Sequence, residues 1–359
     1  MANIQAATVT TTAGAGSNLV RAYFDRVLLE RAKQQTRFYQ FGVPKPLPLT
    51  EGASVTWNRK RALALGLELS QGVPTSTGYT LSTTQITRTI RQFGAHVPIS
   101  DLIDLTAIAD VGVLATEELA DQAGRTIDRV IQLEIINHAS ATDDSCHYLF
   151  KTSTEVTDYW GSTSTISAGV MTVSSANVMA TSDLRTCTYF LRRQGAEPYD
   201  GSNYIGILNT ETAEDIAGDT TWVNWHQYAG DPNAVQNLYN GEIGKVYGIR
   251  VIEDNFGPSK RGSNSGGTAS TIAYGTVVFG KGFYGITELD GGIKTMGPIT
   301  GPSKSDPLDQ TRIYGWKCNF ATAVLNTSAG ITFFAGSGDT AATVTESAGG
   351  PRDTAVTTY

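Results

Sequence analysis

The chain has 359 residues, a net charge of −7, 17% charged side chains and 40% hydrophobic ones. That balance excludes a uniformly basic nucleic-acid binder. The three scattered cysteines (Cys146, Cys187, Cys318) give no disulfide framework and fit a reducing compartment. No apolar run reaches the ~18 residues of a membrane span.

The charge fraction is below the usual quarter, and 38 glycines accompany many Ser and Thr. This fits either a loop-rich β protein or a chain that covers much of its surface with copies of itself. The start, MANIQAATVTTTAGAG, has neither a charged nor an apolar signal region, so folding in a cytoplasm is expected.

Residues 1–16 lack any period and read as a flexible arm. Asn18 to Phe38 reads as a helix with Val20, Phe24, Val27, Leu28 and Arg31 on one face. Pro44, Pro46 and Pro48 then force an extended path. A helix between a flexible arm and a stiff extension is expected to lie on a neighbouring subunit and not in the main core. Residues 51–99 read as one long hairpin. Val55 and Trp57 share a face, the tip is rich in Leu, Gly and Pro, and Ile86, Arg88, Ile90 and Gln92 alternate on the return. A two-stranded ribbon is marginal alone in water, so it calls for a partner surface. Residues 100–110 read as a short helix or turn.

Asp110 to Ala139 is the clearest helix. Thr116, Ala120, Ala123, Ile127, Val130, Ile131 and Ile135 form one stripe, and Glu117, Glu118, Asp121, Arg125, Asp128 and Arg129 the other face. Asp110 is placed to cap it, and Asp121 and Arg125 stand one turn apart in the favourable order. Thirty residues make a rod of ~45 Å, and the strand-like flanks predict a sheet laid along it.

Beyond it, 140–172 read as turns and short strands. Ser174 to Gln194 reads as a helix stopped by Gly195, with Val178, Leu184, Thr188 and Leu191 inward. Strands are expected at 203–209, 245–254, 271–280 and 306–326, a short helix at 211–217, an aromatic loop at 222–244 and a mobile polar loop at 258–271. The tail 327–359 contains the apolar ITFFA but otherwise no core signal.

Motifs for chemistry are sparse. Gly280-Lys281-Gly282-Phe283-Tyr284-Gly285 matches G-x-G-x-x-G after a strand, but ITELDGGI behind it is too short and Gly-rich for the helix that dinucleotide binding needs. A tight strand-to-loop turn is expected instead. Cys146-His147 with His138 is the one cluster with metal-binding residue types, and it lacks the second close pair of a zinc site. Asp143-Asp144 and Asp306/Asp309 lack the ladder of a calcium loop. Asn326-Thr327-Ser328 is a glycosylation sequon, without meaning unless the chain is secreted. No catalytic residue, cofactor or metal is expected, and the chain is read as a non-enzyme. Arg59-Lys60-Arg61 reads as a solvated strand edge or a contact to a neighbour's acids.

The segments YFDRVLLERA (23–32), FGVPKPLPLTEGASVTWNR (41–59), QFGAHVPISDLIDLTAI (92–108), EELADQAGRTIDRVIQLE (117–134), GEIGKVYGIRVIED (241–254), VFGKGFYGI (278–286) and DPLDQTRIYGWKCNFATAVLN (306–326) span the chain nearly end to end. In this order they resemble the major capsid protein of tailed bacteriophages, whose α+β fold is the Hong Kong 97 type. The resemblance implies an N-terminal arm (1–49), an extended β-hairpin loop (50–99), and a peripheral domain (100–172) with spine helix 110–139. It further implies an axial α/β domain (173–271), return strands of the peripheral domain (272–326) and a C-terminal tail (327–359).

It also implies self-assembly through pentamers and hexamers into an icosahedral shell in the virion. That shell would enclose double-stranded DNA without specific binding and without a membrane, and it could use scaffold, portal and decoration proteins. The chain would be made in a host bacterial cytoplasm. A nanocompartment shell of the encapsulin kind is the alternative within the same fold, and a glycine-rich soluble enzyme the alternative outside it. Assembly contacts are expected at Arg59, Lys60, Arg61, Glu117, Asp121, Arg125 and Arg129. Some members of the fold join subunits through a Lys–Asn bond. Lys60 is the only lysine of the hairpin, but no matching motif is present and the bond is not expected.

Overall fold

The structure, a computed structural model, describes residues 36–46, 53–60, 63, 65–66, 78–106, 110–136, 147–151, 156–160, 177–222, 242–261, 272–287, 293–299 and 307–337. Residues 18–35 of the helix expected over Asn18–Phe38, Arg61, most of the hairpin tip, His138, Cys146, the loops at 161–176 and 223–241 and the tail from 338 lie outside them, and the described end of that helix, 36–38, is not helical.

The long helix, α2, runs Val111–Ile136 and is preceded by the short helix α1, Asp101–Thr106. At ~1.5 Å per residue α2 is ~39 Å long. Its start is capped as expected: Asp110 Oδ1 accepts the N–H groups of Gly112 and Val113 at 3.1 and 3.2 Å. The apolar stripe is buried at Thr116, Ala120, Ala123, Ile127, Ile131 and Ile135.

One layer under α2 is a three-stranded antiparallel sheet of β13 (Ile293–Ile299), β14 (Thr311–Phe320) and β4 (Arg91–Ser100). Along β14 the side chains of Tyr314, Trp316, Cys318 and Phe320 are buried. Trp316 Nε1 donates to Gln122 Oε1 of the helix at 3.3 Å.

The other layer is an eight-stranded mixed sheet in the order β6 (Val156–Trp160), β5 (His147–Lys151), β16 (Gly330–Ala335), β11 (Ile272–Phe279), β7 (Tyr204–Asn209), β9 (Ile249–Asp254), β8 (Glu242–Val246), with β10 (Ser259–Arg261) beside β11. Two further helices accompany it, α3 (Thr181–Arg193) and α4 (Thr210–Ala217). Helix α2 reaches this sheet as well. Gln132 Nε2 donates to Asp254 Oδ2 at 3.0 Å, and Tyr148 Oη donates to the Ile136 carbonyl at 2.9 Å. A third, small sheet joins β1 (Val43–Lys45), β12 (Tyr284–Thr287) and β15 (Thr322–Val324). β2 (Ser54–Lys60) and β3 (Thr83–Thr89) form the separate hairpin.

Several expectations are corrected. The hairpin ribbon ends at Ile90, whose N–H donates to the Ala53 carbonyl. From Arg91 the chain pairs with β14 instead, and Phe93 and Ala95 turn inward, leaving Gln92 exposed. The strand expected at 245–254 is a two-stranded hairpin. Tyr247 and Gly248 take φ of 48° and 79°, the double positive φ of a two-residue turn matched to strand twist. The helix expected from Ser174 starts at Thr181, because Ala180 is extended and Asp183 accepts its N–H at 2.9 Å. That helix does stop at Gly195 (φ 71°), with Ala196 N–H on the Leu191 carbonyl and Gly195 N–H on the Arg192 carbonyl.

The segment 330–335 is no tail. It is a fully buried inner strand between β5 and β11. Strands β5, β6, β11 and β16 therefore share one sheet with β7 and β9, and the divisions expected at 172, 272 and 327 do not follow the sheets. The end of the arm also enters the core: Phe38 and Phe41 are buried, and β1 pairs in parallel with β12.

Candidate assembly surfaces

The root of the hairpin is built into the body. Val55 and Trp57, 1% and 6% exposed, pack on Ala323, with Ile86, Ile90 and Leu325 around them. Lys45 donates to the Thr56 carbonyl, and its ammonium stands 5.9 Å from the Trp57 ring centre. Arg88 pairs with Glu134 of α2, tying β3 to the rod across half-exposed surface. Farther out the character reverses. Leu63, Leu65, Tyr79 and Leu81 are 52%, 92%, 47% and 81% exposed. Apolar side chains held at that exposure carry a hydration cost of ~1.5–3 kcal/mol each, which contact with another molecule would remove.

A second apolar surface starts where β4 ends. Leu102, Ile103 and Leu105 of α1 are 64%, 52% and 83% exposed, and Leu114 in the first turn of α2 is 51% exposed. Leu102 and Leu105 share one side of α1 and Ile103 points away from Leu105, so the exposed apolar surface covers about half of the helix. Nearby strand ends add Ile299 and Leu308. Sequence reading missed this surface. Its signal was present in DLIDLT, where three large apolar residues crowd a segment of six.

The charged residues expected at contacts lie on two separate elements, β2 and α2. Arg59 is half-buried in β2 opposite Thr84, Lys60 lies opposite Thr83, and Arg61 falls outside the described residues. Glu117, Asp121, Arg125 and Arg129 are half-buried along α2. Arg125 does not pair with the Asp121 carboxylate. Its Nε donates to the Asp121 carbonyl at 3.2 Å, and its guanidinium lies 5.5 Å from the Phe256 ring centre. Arg129 donates to Gln132 Oε1 at 3.0 Å. These two arginines turn toward the 254–257 segment of their own chain.

Asp128, expected on the polar face, is only 3% exposed. Its carboxylate accepts the backbone N–H groups of Arg37, Phe38 and Tyr39 at 3.2, 2.9 and 3.2 Å. Tyr284 Oη donates to the Phe38 carbonyl at 2.5 Å from the other side. The arm is thus clamped to the rod where it enters the body. Burial and then the Asp254 charge push Asp128 up to about 8, against the pull of the three N–H groups.

The G-x-G-x-x-G segment joins two strands. Gly280 N–H donates to the Ala329 carbonyl and Lys281 N–H to the Glu197 carbonyl, so these groups are already used inside the fold. His147 is buried with Nδ1 3.2 Å from Gln194 Nε2. Among the described residues, no group of three or more His, Cys, Asp or Glu is placed to hold a metal, and no helix is long and apolar enough to cross a membrane.

No family model and no curated protein sequence matches the chain. Solved structures do. The capsid of Ralstonia phage GP4 aligns with a TM-score of 0.62 at 10% identity, over 86% of this chain and 92% of that one. The capsid of cyanophage P-SCSP1u aligns at 0.57 and 17% identity, over 84% and 88%. The capsid of Helicobacter pylori bacteriophage KHP30 aligns at 0.57 and 12% identity, over 84% and 91%. The chain has the Hong Kong 97-type capsid fold.

Proposed function

We propose that this chain is the major capsid protein of a tailed phage and that it closes, copy against copy, into an icosahedral shell around double-stranded DNA. Its work is assembly and not catalysis, and its place is the virion. One observation carries the reading beyond the fold. The body grips the hairpin at its root, through Val55, Trp57 and the Arg88–Glu134 pair, while Leu63, Leu65 and Leu81 farther along it are left in water. A second copy is the natural cover, because a closed shell presents the same surface to every subunit. Each contact can be weak, since closure multiplies it. The same logic applies to α1.

Expression of the chain alone, followed by negative-stain microscopy, tests this. Shells, tubes, sheets or capsomers are expected. A variant lacking 62–82 is expected to stay folded by circular dichroism and to remain unassembled. A wild-type chain that stays monomeric at high concentration overturns the proposal.

A further inference from the structure

Helix α3 presents two faces of opposite kind. Leu184, Cys187, Thr188 and Leu191 are buried against the large sheet. The outer face carries Arg185, Tyr189, Arg192 and Arg193, at spacings of four, three and one, with Tyr189 59% exposed. Beside them the β8–β9 turn projects Tyr247 in a left-handed conformation, φ 48°, and its carbonyl accepts from Thr188 Oγ at 3.2 Å. Together Arg185, Thr188, Tyr189, Arg192, Arg193 and Tyr247 line an open cleft of about 710 Å³.

None of the three arginines forms an ion pair or hydrogen bond through its side chain among the described residues. The nearest acid on the helix, Asp183, is taken by Lys151 at 2.7 Å. Arg192 and Arg193 complement the C-terminal end of the helix dipole. Arg185 cannot be explained that way, because it sits in the first half of the helix, where a cation is disfavoured. Three uncompensated guanidinium groups on one cleft run against the net charge of −7.

We infer that this cleft binds the phosphate backbone of double-stranded DNA, without reading its sequence. The inference rests on the shell reading, which places packaged DNA next to the subunits. Arg185 and Arg192 are seven residues apart, ~10 Å along the helix. Along the duplex axis one DNA strand carries a charge every ~3.4 Å, so a row laid along that axis spans about three phosphates. Guanidinium forks suit phosphate oxygens, and two tyrosine rings give flat apolar surface for the sugars. An acidic strap from another copy is disfavoured, because the sequence has no run of three acidic residues. A nucleotide pocket is disfavoured because, among the described residues, neither a glycine-rich loop nor a helix N-terminus lines the cleft.

The test uses the full chain and an R185Q/R192Q/R193Q variant, titrated into a labelled, mixed-sequence duplex of roughly 20 base pairs at several salt concentrations. Three phosphate contacts predict a log–log salt slope near −2.7, so wild-type affinity should fall about 40-fold between about 50 and 200 mM salt. The variant should bind at least about 10-fold more weakly at low salt, with a slope near zero, and its particles should look like wild type in negative stain. Equal affinity and slope for the two proteins overturns the assignment. Poly-glutamate displacing duplex at equal charge concentration also overturns it, in favour of an acidic protein partner. Failure of both proteins to assemble, with duplex binding still lost only in the variant, would remove the shell reading and leave the cleft standing.

Discussion

The Asp128 carboxylate accepts the Phe38 N–H at 2.9 Å across 90 residues of sequence. Asp254 lies close enough for its charge to raise Asp128, and Arg37, Arg129 and Gln132 oppose the rise of Asp254, which burial pushes up to about 6. Both folded values lie above the ordinary 3.8. The folded state therefore holds protons more tightly than the unfolded chain. The stability this contributes is complete below about pH 4 and is lost as pH rises through about 6 and then about 8. Melting of the unassembled subunit is expected to weaken between about pH 4 and 8, and Asp128→Asn, which keeps an acceptor without a charge, to flatten the upper part of that curve. Asp128→Ala leaves three N–H groups without their acceptor and is expected to cost about 3 kcal/mol. A melting curve for Asp128→Asn that tracks wild type at every pH would contradict this.

Trp57 anchors the hairpin to Ala323. Trp57→Ala should lose ~3 kcal/mol in urea unfolding, near the lower end for a large aromatic, because the cluster it leaves is small. Assembly should suffer more than stability, since the hairpin then loses its fixed direction. Sedimentation of folded protein at a temperature well below the melting point separates the two effects.

Leu105 is 83% exposed on α1. Leu105→Glu should leave the subunit within about 0.5 kcal/mol of wild type, as surface changes do. It should also abolish or sharply slow particle formation, because a buried unpaired carboxylate would sit in the contact. Particles of normal yield from this variant would show that α1 faces solvent in the shell.

Gly280 and Gly282 differ physically although both belong to the same motif. A Cβ on Gly280 would lie 2.2 Å from the Glu197 carbonyl oxygen, whereas Gly282 has open space but a φ of +75°. Gly280→Ala must displace backbone and should cost ~2–3 kcal/mol. Gly282→Ala carries only the left-handed penalty of ~1 kcal/mol. Denaturant midpoints in that order are expected, and the reverse order would show that the 197 segment yields easily.

The rod, its cap, the inward face of β14 and the Gly195 stop were all readable, because each depends on residues within a few turns or one strand. What escaped depends on distant partners. Asp128 looks like a solvated carboxylate until residues 37–39 are laid on it. Arg125 looks like half of a surface pair until Phe256 arrives from a loop. Tyr247-Gly248 was readable in principle, since a lone glycine inside a strand pattern marks a turn or bulge. The run ITFFA was ambiguous because a short apolar stretch does not say which sheet receives it. The α3 cleft was legible as spacing but not as unpaired charge, which only the surrounding acids decide.

The place of β16 bears on the timing of folding. It pairs with β5 on one side and β11 on the other, so both neighbours precede it in the chain. Until residues 330–335 leave the ribosome, the large sheet exists as two fragments with open edges facing each other. The body that aims the hairpin is therefore completed only by β16, the last of its described strands. Subunits caught in mid-synthesis lack a finished plate on which to seat a neighbour, and premature polymerisation on polysomes is disfavoured by the order of strands alone.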